Sequence, residues 1–178
     1  MFRRPIERWR SRNKPLASKH TRAVELQEQH RGWRTEFYEE FSSDEVRQAK
    51  TNLHLGEAER LFREVLEEGT DRLTPGQIAV TTLQLAHLLH CQGQLEEAQD
   101  LYEDVVHVCR LCVRRTETVE WALCRALLRL AELIIREDRQ RGELLFAESM
   151  EIAERRNDLG AIAINQRAIQ YFGLKRAT

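Results

Sequence analysis

Three times along the chain a small residue stands one helical turn before an aromatic one: Ala58 and Phe62, Ala98 and Tyr102, Gly142 and Phe146. Each pair lies in an apolar row of helical period: Ala58, Leu61, Phe62, Val65 and Leu66; then Ala98, Leu101, Tyr102, Val105, Cys109 and Cys112; then Gly142, Phe146, Met150 and Ala153. The small member lets two helices approach closely, and the aromatic fills the groove against the next neighbour. One helical pair cannot cover such a face alone, so the recurrence ties these segments into a stack. No segment alternates apolar and polar residues with period two, and the spacing predicts an all-α fold without a sheet.

Local signals divide the chain. Thr74, Pro75 and Gln77 combine an N-cap hydroxyl, a proline at the first helical position and a capping-box amide, predicting a helix to about Cys91. Gly93 marks a turn, and Leu95 opens a helix whose pattern dissolves near Arg114. Thr116 to Thr118 caps a helix through Ile135, and Glu137 to Arg141 makes the next turn. Asn157 or Asp158 caps the final helix, about Leu159 to Phe172, which stops at Gly173. Upstream, Ala23 to Phe41 reads as a helix with Trp33, Phe37 and Phe41 on one face. Ser42 and Glu45 form a capping box for another, with Gly56 as a break and Gly69 as a left-handed C-cap, so that residues 42–69 close one helical hairpin.

Charge is distributed unevenly. The chain carries a net charge of -1, yet residues 1–22 hold eight Lys/Arg against Glu7, which leaves -8 on the remainder. Pro5, Pro15 and this charge oppose a packed helix at the start, giving a flexible basic arm over residues 1–20 that includes Arg3, Arg4, Arg8, Arg10, Arg12 and Lys14. A helix over 21–41 and a repeat domain over 42–178 follow. The arm fits an anionic surface, either nucleic acid or membrane, or a docking site on another protein. No run reaches the roughly 18 apolar residues a membrane span needs. Cys91, Cys109, Cys112 and Cys124 all fall in helical segments, which predicts reduced thiols and a cytoplasmic setting. An organellar matrix is the alternative if residues 1–20 are a transit peptide.

The paired helices share a bulky-small step in the first member, Leu85-Ala86 and Leu130-Ala131, followed by the small-xxx-aromatic step in the second. This pattern resembles the tetratricopeptide repeat, with Thr82, Leu85, Ala86, Leu89, Ala98 and Tyr102 in one unit and Leu127, Leu130, Ala131, Ile134, Gly142 and Phe146 in the next. The spacings of 40 from Ala58 to Ala98 and 44 from Ala98 to Gly142 exceed the family's 34, and no Trp opens or Pro closes the units. The chain is therefore similar to the long-repeat subgroup typified by kinesin light chain, with HEAT-like units of 40–47 residues as the alternative. The resemblance implies a right-handed α-solenoid of about three antiparallel hairpins with a C-terminal capping helix, its concave wall built by the first helix of each hairpin. It implies a protein-binding adaptor or scaffold with no reaction, cofactor or metal of its own; nucleic-acid, ribosome or membrane association through the arm is the alternative.

Groove-facing positions carried over from the resemblance are Val80, Leu83, Gln84, His87, His90 and Cys91, then Arg125, Leu128, Arg129, Glu132, Ile135 and Arg136. Leu83, Leu128 and Ile135 are expected to offer apolar contact to a peptide or helix. Arg125 and Arg129 match the two basic residues with which some members hold a C-terminal carboxylate, and Arg suits that work through its planar fork. The plain alternative is a solvated face with Glu132 and Arg136 paired at i, i+4. His87, His90 and Cys91, or His107, Cys109 and Cys112, have the chemistry of zinc ligands. The two sets cannot share an ion, because His87 should lie opposite about Leu101, and buried structural thiols are the expectation. The exposed acids Glu96, Glu97, Asp100, Glu103 and Asp104 read as a solvated face, and no phosphate loop, HExxH or nucleophile elbow is present.

Overall fold

The computed structural model describes residues 14–36, 44–69 and 71–174, with side-chain positions for 14–28, 54–69 and 71–174. Among the described residues the protein is all-helical: α1 (Lys14–Glu36), α2 (Asp44–Gly69), α3 (Pro75–Cys91), α4 (Leu95–Leu111), α5 (Glu117–Ile134), α6 (Arg139–Arg155) and α7 (Leu159–Tyr171), with no strand. The chain falls into two compact units whose boundary lies between Leu73 and Thr74. Arg3, Arg4, Arg8, Arg10 and Arg12, the row of Trp33, Phe37 and Phe41, and the Ser42 and Glu45 capping box lie outside the described side chains.

The first unit departs from the sequence reading in two ways. α1 starts at Lys14, well before Ala23, so Lys14 belongs to a helix rather than to an extended arm. Pro15 sits in the first turn, where its missing N–H has no helical partner to lose, and it starts the helix instead of opposing it. α2 runs unbroken through Gly56, so the hairpin expected within residues 42–69 is a single 26-residue helix packed on α1. A solitary glycine costs a helix only about 1 kcal/mol against alanine, too little to break a row that buries Leu55, Ala58, Phe62 and Val65. Lys19 bonds Glu64 at 2.8 Å and Glu68 at 2.6 Å, and His20 meets the edge of Phe62 at 5.7 Å, so the start of α1 lies against the end of α2. Gly69 is not a left-handed cap; it ends the helix with the Leu73 side chain folded over it, 2.5 Å from where a Cβ would stand. Among the described residues, nothing beyond the helix's own adjacent backbone lies within 4 Å of a Cβ built on Gly56. Gly56→Ala should therefore stabilise the protein by up to about 1 kcal/mol, read as a raised urea midpoint; a lowered midpoint would show that α2 is not continuous there.

In the second unit α3 is held by the capping box: Gln77 Oε1 accepts from the Thr74 backbone N–H at 2.9 Å, and Thr74 Oγ1 from the Gln77 N–H at 3.4 Å. Thr116, Asp138 and Asp158 cap α5, α6 and α7 through their side chains, at 3.3, 2.9 and 2.9 Å. Gly93 and Gly173 take positive φ after α3 and α7, where a side chain would be strained. α3 packs on α4 and α5, α4 on α5, α5 on α6 and α7, and α6 on α7.

Side-chain contacts give the directions. Arg155 meets Glu120, Ser149 meets Cys124, and Ile135 lies against Gly142, so α5 and α6 run in opposite directions. Phe146 stacks on Phe172 at 5.9 Å while Arg139 reaches the Gly173 carbonyl, so α7 opposes α6 and follows α5. Gly76 approaches Val119, with 3.2 Å between its would-be Cβ and Val119 Cγ2, bringing the start of α3 to the start of α5. α4 and α6 are bridged by Glu103–Arg141 at 2.9 Å and Arg110–Glu148 at 2.5 Å, two pairs with the same offset of 38 residues, as parallel helices require.

The core between α5 and α6 contains one polar lock. Ser149 Oγ donates to the Cys124 carbonyl at 2.9 Å, and Cys124 Sγ donates to the Ser149 carbonyl at 3.4 Å, both residues being buried. Burial pushes the Cys124 thiol above its ordinary pKa, which keeps it protonated as the donor this lock needs. Ser149→Ala removes that donor while the Cys124 carbonyl keeps its helical partner, and should cost about 0.5–1.5 kcal/mol in denaturant unfolding. An unchanged midpoint would mean that the lock contributes nothing.

Candidate functional site

Because α3, α5 and α7 run in one direction and touch in sequence, they share one side of the second unit. Their N-caps, Thr74, Thr116 and Asp158, recur every 42 residues, so positions 42 apart occupy matching places. Buried Val119, Leu123 and Ala126 of α5 correspond to buried Ala161, Asn165 and Ala168 of α7, which shows the two helices turning equivalent faces inward. Leu83, Arg125 and Arg167 then form one row across the three helices, and His87, Arg129 and Tyr171 the next.

The side chains singled out by sequence separate into two groups. Val80, Gln84, His87, His90, Arg125, Arg129 and Glu132 are half-buried, and Cys91 and Arg136 are exposed. Leu83, Leu128 and Ile135 are 4%, 0% and 5% exposed and belong to the core, which corrects the expectation that they offer apolar contact to a partner. Ile135 is covered by the backbone of α6 at Gly142, where a Cβ would stand 2.9 Å from the Ile135 Cα. At these positions the accessible side is therefore mainly polar, with Arg125 and Arg129 beside Gln84, His87 and His90.

Arg129 Nη1 donates to Glu132 Oε2 at 2.6 Å, so Glu132 is neutralised one turn back along α5 by Arg129, in place of the expected pairing with Arg136. Arg129 is thereby compensated. Arg125 forms no ion pair or hydrogen bond among the described residues, and its Nε is buried without an acceptor. Arg167, at the matching position of α7, is exposed and likewise makes no ion pair among them. Sequence reasoning missed Arg167, half-buried Trp121 and Tyr171, the last 74% exposed. The 42-residue recurrence of capping residues was the signal that could have found them.

His90 lies at the junction of three helices, edge-on to Tyr102 of α4 at 6.2 Å and within the field of Arg129 and Glu132 of α5. Burial holds its imidazole below the ordinary value of 6.5, with Arg129 acting in the same direction and Glu132 against it. The unfolded chain therefore binds this proton at higher pH than the folded one. Stability linked to the neutral ring is complete above about pH 6.5 and is lost as pH falls below it toward the folded value. Half-buried His20 shifts in the same direction, also through desolvation. Urea midpoints should fall between pH 7.5 and 5, and His90→Gln should flatten part of that slope; a slope identical in the variant would contradict the assignment.

The metal readings do not assemble. Cys91 Sγ sits 3.8 Å from His87 Nδ1, and no group of three His, Cys, Asp or Glu with metal-holding geometry occurs among the described residues. Cys109 is buried, and desolvation pushes its thiol up to about 11, far from a ready metal ligand or nucleophile. Cys124 faces Ser149. A cleft of about 420 Å³ lies between the starts of α3 and α5, lined by Thr74, Gly76, Cys112, Arg114, Thr116 and Thr118, with both threonine caps already engaged in their own helices. No described helix is long and apolar enough to cross a membrane. Comparison with protein-family models, curated proteins and solved structures returned no match.

Proposed function

We propose that the second unit is a short α-solenoid of the tetratricopeptide kind and that it serves as a protein-binding adaptor or scaffold rather than an enzyme. The reading is carried by the parallel course of α3, α5 and α7, which leaves one continuous half-exposed wall while α4 and α6 lie behind it, joined by ion pairs at a common offset. In this reading the wall is the concave side of a right-handed superhelix, and a peptide or helix of another protein lies across it. A cytoplasmic setting belongs to the same proposal, consistent with four free thiols.

Two variants separate this from attachment through the basic arm. The first introduces negative charge on the wall, His87→Glu with Arg136→Glu. The second lacks residues 1–13, because removing 1–20 would also delete Leu16, Lys19 and His20 from the packed start of α1. Proteins captured by the full chain should be lost with the wall variant and kept by the truncated chain, with little change on raising salt. Capture that vanishes on truncation and in high salt would replace the wall by the arm.

A further inference from the structure

Resting on that reading of the wall, we infer that its partner is an acidic segment held by internal side-chain carboxylates, with Arg125 and Arg167 as the two anchors. Four observations converge on this. The apolar residues once expected to face a partner are buried, so the wall has little apolar surface to offer at these positions. Arg129, the natural second cation beside Arg125, is already neutralised by Glu132. Arg125 and Arg167 occupy matching positions of touching, parallel helices and have no carboxylate among the described residues. The Nε of Arg125 is buried without an acceptor, so the distal nitrogens of its guanidinium are the donors a ligand can reach. An isolated, partly desolvated cation of this kind favours a bound anion more than a fully hydrated one does.

The spacing adds a constraint. Packed helix axes lie about 8–10 Å apart. A segment crossing from α5 to α7 in polyproline II geometry advances about 9 Å in three residues and returns to the same face. Acidic residues three apart therefore match the two arginines, whereas acids at adjacent positions point to different sides.

The probe is a peptide blocked at both ends, with three glutamates separated by proline pairs and a fluorophore for anisotropy, titrated into the full chain. Blocked ends remove any contribution from a terminal carboxylate. The expected result is saturable binding that weakens at least tenfold in Arg125→Gln/Arg167→Gln, weakens similarly when the glutamates become glutamines, and is retained in Arg125→Lys/Arg167→Lys. Amide spectra that show all variants folded exclude loss by unfolding. Equal affinity in the glutamine variant would place the acidic peptide on the arm and overturn the inference, as would absence of binding to the unaltered chain. If the peptide fails while the wall variant of the preceding section still loses its captured proteins, the acidic chemistry alone is wrong; if both fail, the wall itself is not the docking surface.

Discussion

Truncating Phe146 to alanine is expected to cost about 3–5 kcal/mol, enough to remove much of the stability of a unit this size. The ring is buried, fills the groove one turn after Gly142 on α6, and stacks on Phe172 beyond the end of α7. Its removal deletes the transfer free energy of a large side chain and leaves a hole that α5, α6 and α7 can close only by moving together. Urea unfolding followed by circular dichroism should show a lower midpoint, with the helical signal at zero urea largely kept. Tyr171→Ala, in the same helix pair but 74% exposed, should change the unfolding free energy by no more than about 0.5 kcal/mol. A Phe146 variant as mild as the Tyr171 variant would mean that α6 and α7 are not packed as described.

Gly142→Ala is expected to destabilise by about 1–3 kcal/mol, opposite in sign to the same exchange at Gly56. Helix propensity favours alanine at both sites by about 1 kcal/mol, so intrinsic preference predicts a gain at each. At Gly142 the new methyl would stand 2.4 Å from Ile135 Cδ1 and 2.9 Å from the Ile135 Cα. The side-chain end can rotate, but the backbone atom cannot yield without separating α5 from α6, so overpacking wins. Gly142→Val should cost more. Equal and favourable effects at the two glycines would remove the close approach of these helices.

The contrast between these glycines also shows what sequence could and could not tell. Boundaries fixed by neighbouring residues were legible: Thr74, Pro75 and Gln77 form the anticipated cap, and Asp158 caps α7 as one of two expected choices. Gly142 was legible as a contact residue because its role is repeated by Ala98 and Ala58, all buried. Gly56 and Pro15 misled because each was weighed as a local breaker. Continuous burial on one side of α2 outweighs a single glycine, and the first turn of α1 tolerates a proline. Leu83, Leu128 and Ile135 were placed on the accessible wall by the family resemblance, which carries over the face a position occupies but not how far the neighbouring helix covers that face. Arg125 and Arg129 look alike in sequence; only the 2.6 Å contact to Glu132 separates a compensated cation from an available one.

The account depends most on α3, α5 and α7 running in the same direction, since only then do positions 42 apart form a single wall. Nuclear Overhauser spectroscopy on methyl-labelled protein tests this without any substitution. A cross-peak between the Gly76 α-protons and a Val119 methyl is predicted, together with one between the Gly142 α-protons and the Ile135 δ-methyl. Contacts from Gly76 to methyls at the opposite end of α5, such as those of Ile134, with none to Val119, would reverse the direction of α3 and contradict the shared wall.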